Sequence, residues 1–205
     1  GGVEMALGRN ISGVIASAIA ILAAVLLWDH GIQREAIAKS IVVDRASLSA
    51  IVISAASALA GIVFAGRARG TEDAGHGETT ALILGSAFGM AILASANDLV
   101  TIFLGLEMLS IPLYVLCASH VDRTASLESG LKYLILGSVG SATALMGLAL
   151  IYGATGSMAL PEIARTAGDS DLRDLIYPGV ALLIAGFGFK LSLAPMHQWT
   201  PDVYD

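Results

Sequence analysis

The sequence is short of charge and of cysteine, and each shortage excludes a class of function. Only 14% of its residues are charged, against roughly 25% in an average soluble domain. With 56% hydrophobic residues besides, an ordinary water-facing surface cannot be built from it. Its one cysteine, Cys117, excludes an internal disulfide and any four-cysteine zinc or iron–sulfur site. Basic residues number 11 against 17 acidic ones, for a net charge of -6. They form no stripe along which a phosphate backbone could lie, so nucleic acid is not an expected partner. Cys117 and His120 make one isolated pair, and His30, His76 and His197 lack companion donors at ligand spacing. No metal or cofactor site is expected in this chain.

What the 205 residues hold instead is long apolar runs. A hydrocarbon layer roughly 30 Å thick takes about 18 or more such residues in a helix, and six runs qualify: Ile11–Trp28, Ala46–Gly66, Thr79–Ala96, Leu99–Ala118, Ser126–Tyr152 and Gly179 to about Ala194. Within lipid the backbone must satisfy its own hydrogen bonds, and short alternating segments of barrel type are missing. The expected fold is therefore an all-α polytopic membrane protein with about six transmembrane helices, the last one interrupted. Asn97 and Asp98 alone separate the third and fourth runs, which predicts a hairpin. Ser126 is a candidate N-cap for the fifth, with Glu128 in its first turn. The connectors are 29–45, 67–78, 119–125 and 153–178, the last with a short surface helix expected in it.

Alternation of the spans puts Arg9, Arg67, Arg69 and Arg123 on one side and Arg34, Lys39, Arg45, Arg165 and Arg173 on the other. Four basic residues against five set no orientation. Small residues recur at helical spacing, Gly85 with Gly89, Gly137 with Ser141 and Gly140 with Ala144, where they let helices approach closely. The run after Arg9 has no small-residue cleavage site behind it and reads as a mature span rather than a leader. A first residue other than methionine, and a last one just past a broken apolar segment, give the expectation of a piece of a longer chain.

Besides Glu128 in the first turn of the fifth run, three charges fall inside the spans. Glu107 lies eight residues into the fourth run, about 12 Å deep at 1.5 Å per residue. A charge at mid-helix costs about 2.5 to 3.5 kcal/mol on insertion scales, so such a residue normally faces protein or water. Lys190 lies about 16 Å into the sixth run, measured from the same side. The two are thus within roughly 5 Å of each other in depth. Burial and an opposite charge act in opposite senses on each group, which suits reversible proton exchange. A purely structural ion pair is the competing reading. Lys132, about 9 Å deep, reads either as a relay member or as an anchor whose stem snorkels to the surface.

Prolines accompany these charges. Pro112 is expected to interrupt the fourth helix, since it cannot donate to the carbonyl of Met108 and leaves that group free beside Glu107 as a place for water. Pro195 and then Pro201 are expected to interrupt the sixth helix. Interruptions are tolerated only against protein or a water-filled cavity, and in transporters they mark ion pathways. Otherwise this is a helix end at the membrane surface, with Trp199 and Tyr204 as interfacial aromatics. Gly186-x-Gly188-x-Lys190-x-Ser192 lacks the glycine gap of a phosphate loop.

Three stretches together resemble one family. They are Ser95 through Gly105-Leu106-Glu107-Met108 to Tyr114, then Leu127-Glu128-x-x-Leu131-Lys132-Tyr133, and then Gly186 through His197-Gln198-Trp199-Thr200-Pro201-Asp202-Val203-Tyr204. They resemble the antiporter-like membrane subunits of proton-pumping NADH-quinone oxidoreductase, respiratory complex I, and most of all the N type. The resemblance covers roughly 95–205. It implies that Glu107 and Lys190 belong to a proton path, with Lys132 as a further polar member, and that Arg67, Arg69 and Arg123 face the cytoplasm. It implies that 79–205 is an incomplete first antiporter-like repeat, with N-terminal helices and connectors in 1–78. Partner subunits would hold NADH, flavin, iron–sulfur clusters and quinone, while this chain, with no catalysis of its own, would sit among other membrane subunits in the lipid of a bacterial inner membrane. Cation/proton antiporter and membrane-bound hydrogenase subunits are the alternative relatives. Full members carry paired inverted repeats and a further central basic residue beyond the broken helix, neither of which falls within these residues.

Overall fold

The structure, a computed structural model, describes residues 10–31, 34–66, 76–168 and 171–204. Among them five helices are long and apolar enough to cross a membrane. These are α1 (Ile11–Asp29), α2 (Arg45–Ala65), α3 (His76–Ser95), α4 (Leu99–Cys117) and α5 (Thr124–Thr155). The short surface helix α6 (Leu160–Thr166) follows, then α7 (Ile176–Lys190) and, past an interruption, α8 (Trp199–Tyr204). The 15 residues of α7 rise only about 22 Å, too little to cross alone. The sixth span is thus interrupted, as the sequence predicts. Arg9, Arg67 and Arg69, three of the basic residues assigned to one side, lie outside the described residues.

The helices are built outward from small residues. On α1, Gly13, Ser17 and Ala24 are buried while Ile11, Ile15, Ile19 and Leu22 are at least half exposed, the reverse of a soluble helix. Lipid solvates the large side chains, so helix association depends on close packing and hydrogen bonds rather than on apolar burial. Of the small-residue pairs, Gly89 meets the α4 backbone so closely that a Cβ would stand 2.8 Å from Leu109 Cα. Gly140 is pressed by Phe189 of α7, whereas Gly85 meets only Pro112, at ordinary contact distance. Helix α5 packs chiefly on α7, and α3 chiefly on α4.

One face of the bundle is knit by backbone pairing that the apolar runs do not announce. Strands β1 (Arg34–Ala36) and β2 (Ile41–Val43) form an antiparallel hairpin within the first connector. Ile41 bridges to Ala96 and Asp98 to Ala159, so the hairpin, the Asn97–Asp98 turn and the start of α6 share one surface. The Asn97 side chain donates to Lys39 O, and Asp98 caps α4 by accepting from Thr101 N at 2.7 Å.

Two local expectations need correction. Ser126 is not a cap, because α5 begins two residues earlier, after Arg123. Its hydroxyl instead donates to Cys117 O and accepts from the His120 amide, closing the α4–α5 connector. Pro112 does not interrupt α4, which runs unbroken through it. The freed stretch at Met108–Leu109 is covered by Gly89 of α3, and Ser86 donates to Leu109 O at 2.9 Å. Protein cover of this kind lets a membrane helix carry a proline without breaking.

Candidate functional site

The interruption after α7 is made by backbone turning before the prolines are reached. Lys190 is the last helical residue. The Ser192 amide donates to Phe189 O and the Leu193 amide to Gly188 O, with Ser192 in the left-handed region at φ 53°. This is the Schellman arrangement, in which two carbonyls of the final turn are satisfied and the helix stops. Glycine usually occupies that left-handed position, and a serine there gives no sequence signal. Pro195 therefore sits in the interruption without causing it. Pro201 does not interrupt at all, lying in the first turn of α8, where its missing N–H would be unpaired anyway.

Helix α8 folds back onto α5. Ser129, Lys132 and Tyr133, at three- and four-residue spacing on one face of α5, each hold part of it. Ser129 Oγ donates to Val203 O. Lys132 Nζ lies 3.0 Å from Asp202 and 2.8 Å from Glu128. The Tyr133 ring stacks on Trp199, with centroids 4.9 Å apart. Trp199 stacks on Phe189 as well, donates its indole N–H to Phe189 O, and is only 7% exposed. It is an interior residue and not an interfacial aromatic, whereas Tyr204 is 60% exposed.

Within this box the Lys190 ammonium donates to the Tyr114 hydroxyl at 2.8 Å. It also lies 5.9 Å from the Tyr133 ring centroid, at the outer limit of cation–π attraction. As the last residue of α7, Lys190 stands at the negative end of the helix dipole, which favours a cation there. Glu107 lies two turns before Tyr114 on the same face of α4. Its Oε1 is buried and has no hydrogen-bond partner among the described residues. Lys190 thus reaches the face of α4 that also carries Glu107, while the Lys132 side chain is 38% exposed and paired to carboxylates elsewhere.

Lys132 lines a separate cavity of about 350 Å³ at the end of the bundle, together with His120, Arg123, Glu128 and Asp202. The residues that sequence reasoning missed are Tyr114, Tyr133 and Asp202. A hydrophobicity scan reads tyrosine as apolar filling, and Asp202 gains meaning only once α8 folds back. Among the described residues no group of three or more His, Cys, Asp and Glu side chains is placed to hold a metal ion.

The fold is that of a polytopic helical membrane protein, with one carboxyl oxygen buried in the bundle and a lysine at the end of an interrupted helix. Residues 96–205 match the family model described as NADH:quinone oxidoreductase/Mrp antiporter, transmembrane, and the chain belongs to that family. It is 39% identical over 187 residues to NADH-quinone oxidoreductase subunit N of Trichlorobacter lovleyi, covering 89% of this chain and 38% of the relative. It is 35% identical over 203 residues to subunit N of Geotalea uraniireducens, covering 97% and 43%. Respiratory complex I from Thermus thermophilus, with bound aureothin, contains a chain of matching fold, with a TM-score of 0.80 and 34% identity over 97% of this chain and 42% of that one. The chain therefore spans less than half the length of these relatives.

Proposed function

We propose that this chain is part of a proton-translocating membrane subunit of an NADH-quinone oxidoreductase, of the N type. Residues 79–205 would form the first portion of its antiporter-like repeat, preceded by the helices and connectors of 1–78. Glu107 and Lys190 exchange protons across the interior of the bundle, and Lys132 serves the polar cavity nearer the surface. Partner subunits in a bacterial inner membrane oxidise NADH and reduce quinone with their own flavin and iron–sulfur cofactors, and this subunit adds no redox chemistry.

The coupling is electrostatic. A change of charge in a neighbouring subunit alters the field on Lys190 and Glu107, the two pair or separate, and the proton affinity of each follows. The observation that supports this reading is the buried Oε1 of Glu107, unpartnered among the described residues, on the helix face whose Tyr114 meets a lysine at a helix break. A group so placed costs about 1 to 3 kcal/mol or more unless it finds a proton or a partner. In the full-length subunit within its assembled complex, Glu107→Gln should suppress proton pumping while assembly is unchanged. Undiminished pumping would remove Glu107 from the path.

A further inference from the structure

The hydrogen bond that Lys190 makes is not to Glu107 but to a phenol. We propose that the Tyr114 hydroxyl is the proton-carrying link between Lys190 and Glu107, an inference that rests on the proton-path reading above and adds a residue to it.

Donor accounting supports the assignment. Tyr114 is 6% exposed, so its hydroxyl has no bulk water to turn to. Its oxygen accepts from Lys190 Nζ at 2.8 Å, so its own O–H must point elsewhere. Two hydroxyls flank it, from Ser110 on its own helix and from Ser141 on α5. Ser110 already donates to Leu106 O, which leaves its lone pairs to accept. Among the described residues neither the buried Ser141 Oγ nor the buried Glu107 Oε1 has a hydrogen-bond partner. Ser141 Oγ thus stands beside the phenol as an unpaired acceptor, and Glu107 Oε1 as a second one two turns away on the same face of α4.

Packing holds the phenol in that place. The Tyr114 ring meets Tyr133 edge-on, with centroids 4.8 Å apart. A Cβ on Gly137 of α5 would overlap the Tyr114 hydroxyl and stand 2.9 Å from its ring carbons, so only glycine leaves this slot open. A Gly–Ser pair that reads in the sequence as helix packing, Gly137 with Ser141, therefore shapes a seat and supplies a polar wall.

The step balances without any co-reactant. Lys190 Nζ transfers a proton to the phenol oxygen as the phenol releases its own proton toward Glu107. The lysine ends as a neutral amine, the glutamate as a neutral acid, and Tyr114 unchanged. The reverse transfer resets the pair.

The test uses the full-length subunit in the assembled complex, with proton pumping followed in inverted membrane vesicles. Tyr114→Phe keeps the ring and its packing against Tyr133, and should lower the pumping rate about tenfold or more. Replacing Tyr114 with 3,5-difluorotyrosine keeps shape and hydroxyl but makes the phenol more acidic, and should displace the pH profile of pumping. That second variant also decides the matter if Tyr114→Phe fails to assemble. An unchanged pH profile, or full pumping in Tyr114→Phe, overturns the role of Tyr114. Lys190→Met separates the two levels. If it abolishes pumping while Tyr114→Phe does not, the phenol alone is wrong, and if it leaves pumping intact the underlying proton path falls with it.

Discussion

Lys132 of α5 reaches 3.0 Å to Asp202 of α8, joining the two sides of a helix interruption through a third helix. Asp202 is only three residues into a six-residue helix, too short to persist by its own hydrogen bonding. The pair, the Ser129 contact to Val203 O and the Tyr133–Trp199 stack therefore decide where α8 lies.

Asp202→Asn should leave assembly unchanged and loosen α8. The pair is partly exposed, so its attraction weakens with salt. Amide hydrogen exchange over 199–204 is expected to quicken in the variant, and to quicken in the native protein as salt is raised. Exchange indifferent to both would show that aromatic stacking alone positions α8.

Two glycine substitutions should differ in their effect on stability. Gly89 lies against the backbone of Leu109, so Gly89→Ala forces α3 from α4 and should cost about 1 to 3 kcal/mol, the usual range for overpacking. Gly153, within α5, has nothing among the described residues within 4 Å of the position a Cβ would take, so Gly153→Ala should be neutral or stabilising by about 0.5 to 1 kcal/mol. Unfolding in mixed micelles by denaturing detergent measures both. Equal effects would contradict the close α3–α4 approach.

Asp98 should impart a pH dependence to the surface where the connectors meet. Burial pushes its carboxyl up, but hydrogen bonds from Ser40, Thr101 and Val100 together outweigh that and hold it below its ordinary 3.8. A depressed carboxylate contributes stability that is present above the ordinary value and lost as pH falls through the folded value. The native protein should thus lose thermal stability below about pH 4. Asp98→Asn keeps the cap and should remove this acid component, whereas Asp98→Ala should cost about 1 kcal/mol at neutral pH. Identical acid profiles for native protein and Asp98→Asn would exclude the carboxylate as the source.

The spans are legible in the sequence because hydrocarbon thickness and helical rise are fixed lengths, so a run of apolar residues converts directly to a helix that can cross. The site around Glu107 and Lys190 is less so. Lateral neighbours depend on which helices pack together, and the interposition of α5 between α4 and α7 has no one-dimensional signature. The prolines mislead for a related reason. Sequence shows that Pro112 frees a carbonyl, but not that Gly89 and Ser86 cover that stretch. The real break is made by Ser192 in a left-handed conformation that serine seldom adopts and does not advertise. The hairpin at Arg34–Ala36 and Ile41–Val43 escapes a sequence reading because its strands are three residues each, too short for an alternation to register.

The central claim is that Glu107 and Lys190 act as one unit in moving protons, and a double-mutant cycle tests it most directly. Pumping would be compared among Glu107→Gln, Lys190→Met and the double variant, each in the full-length subunit and assembled complex. Members of one path are strongly non-additive, so each single variant should lose nearly all pumping and the double variant no more than either. Losses that simply multiply, or a single variant that pumps normally, would contradict the account.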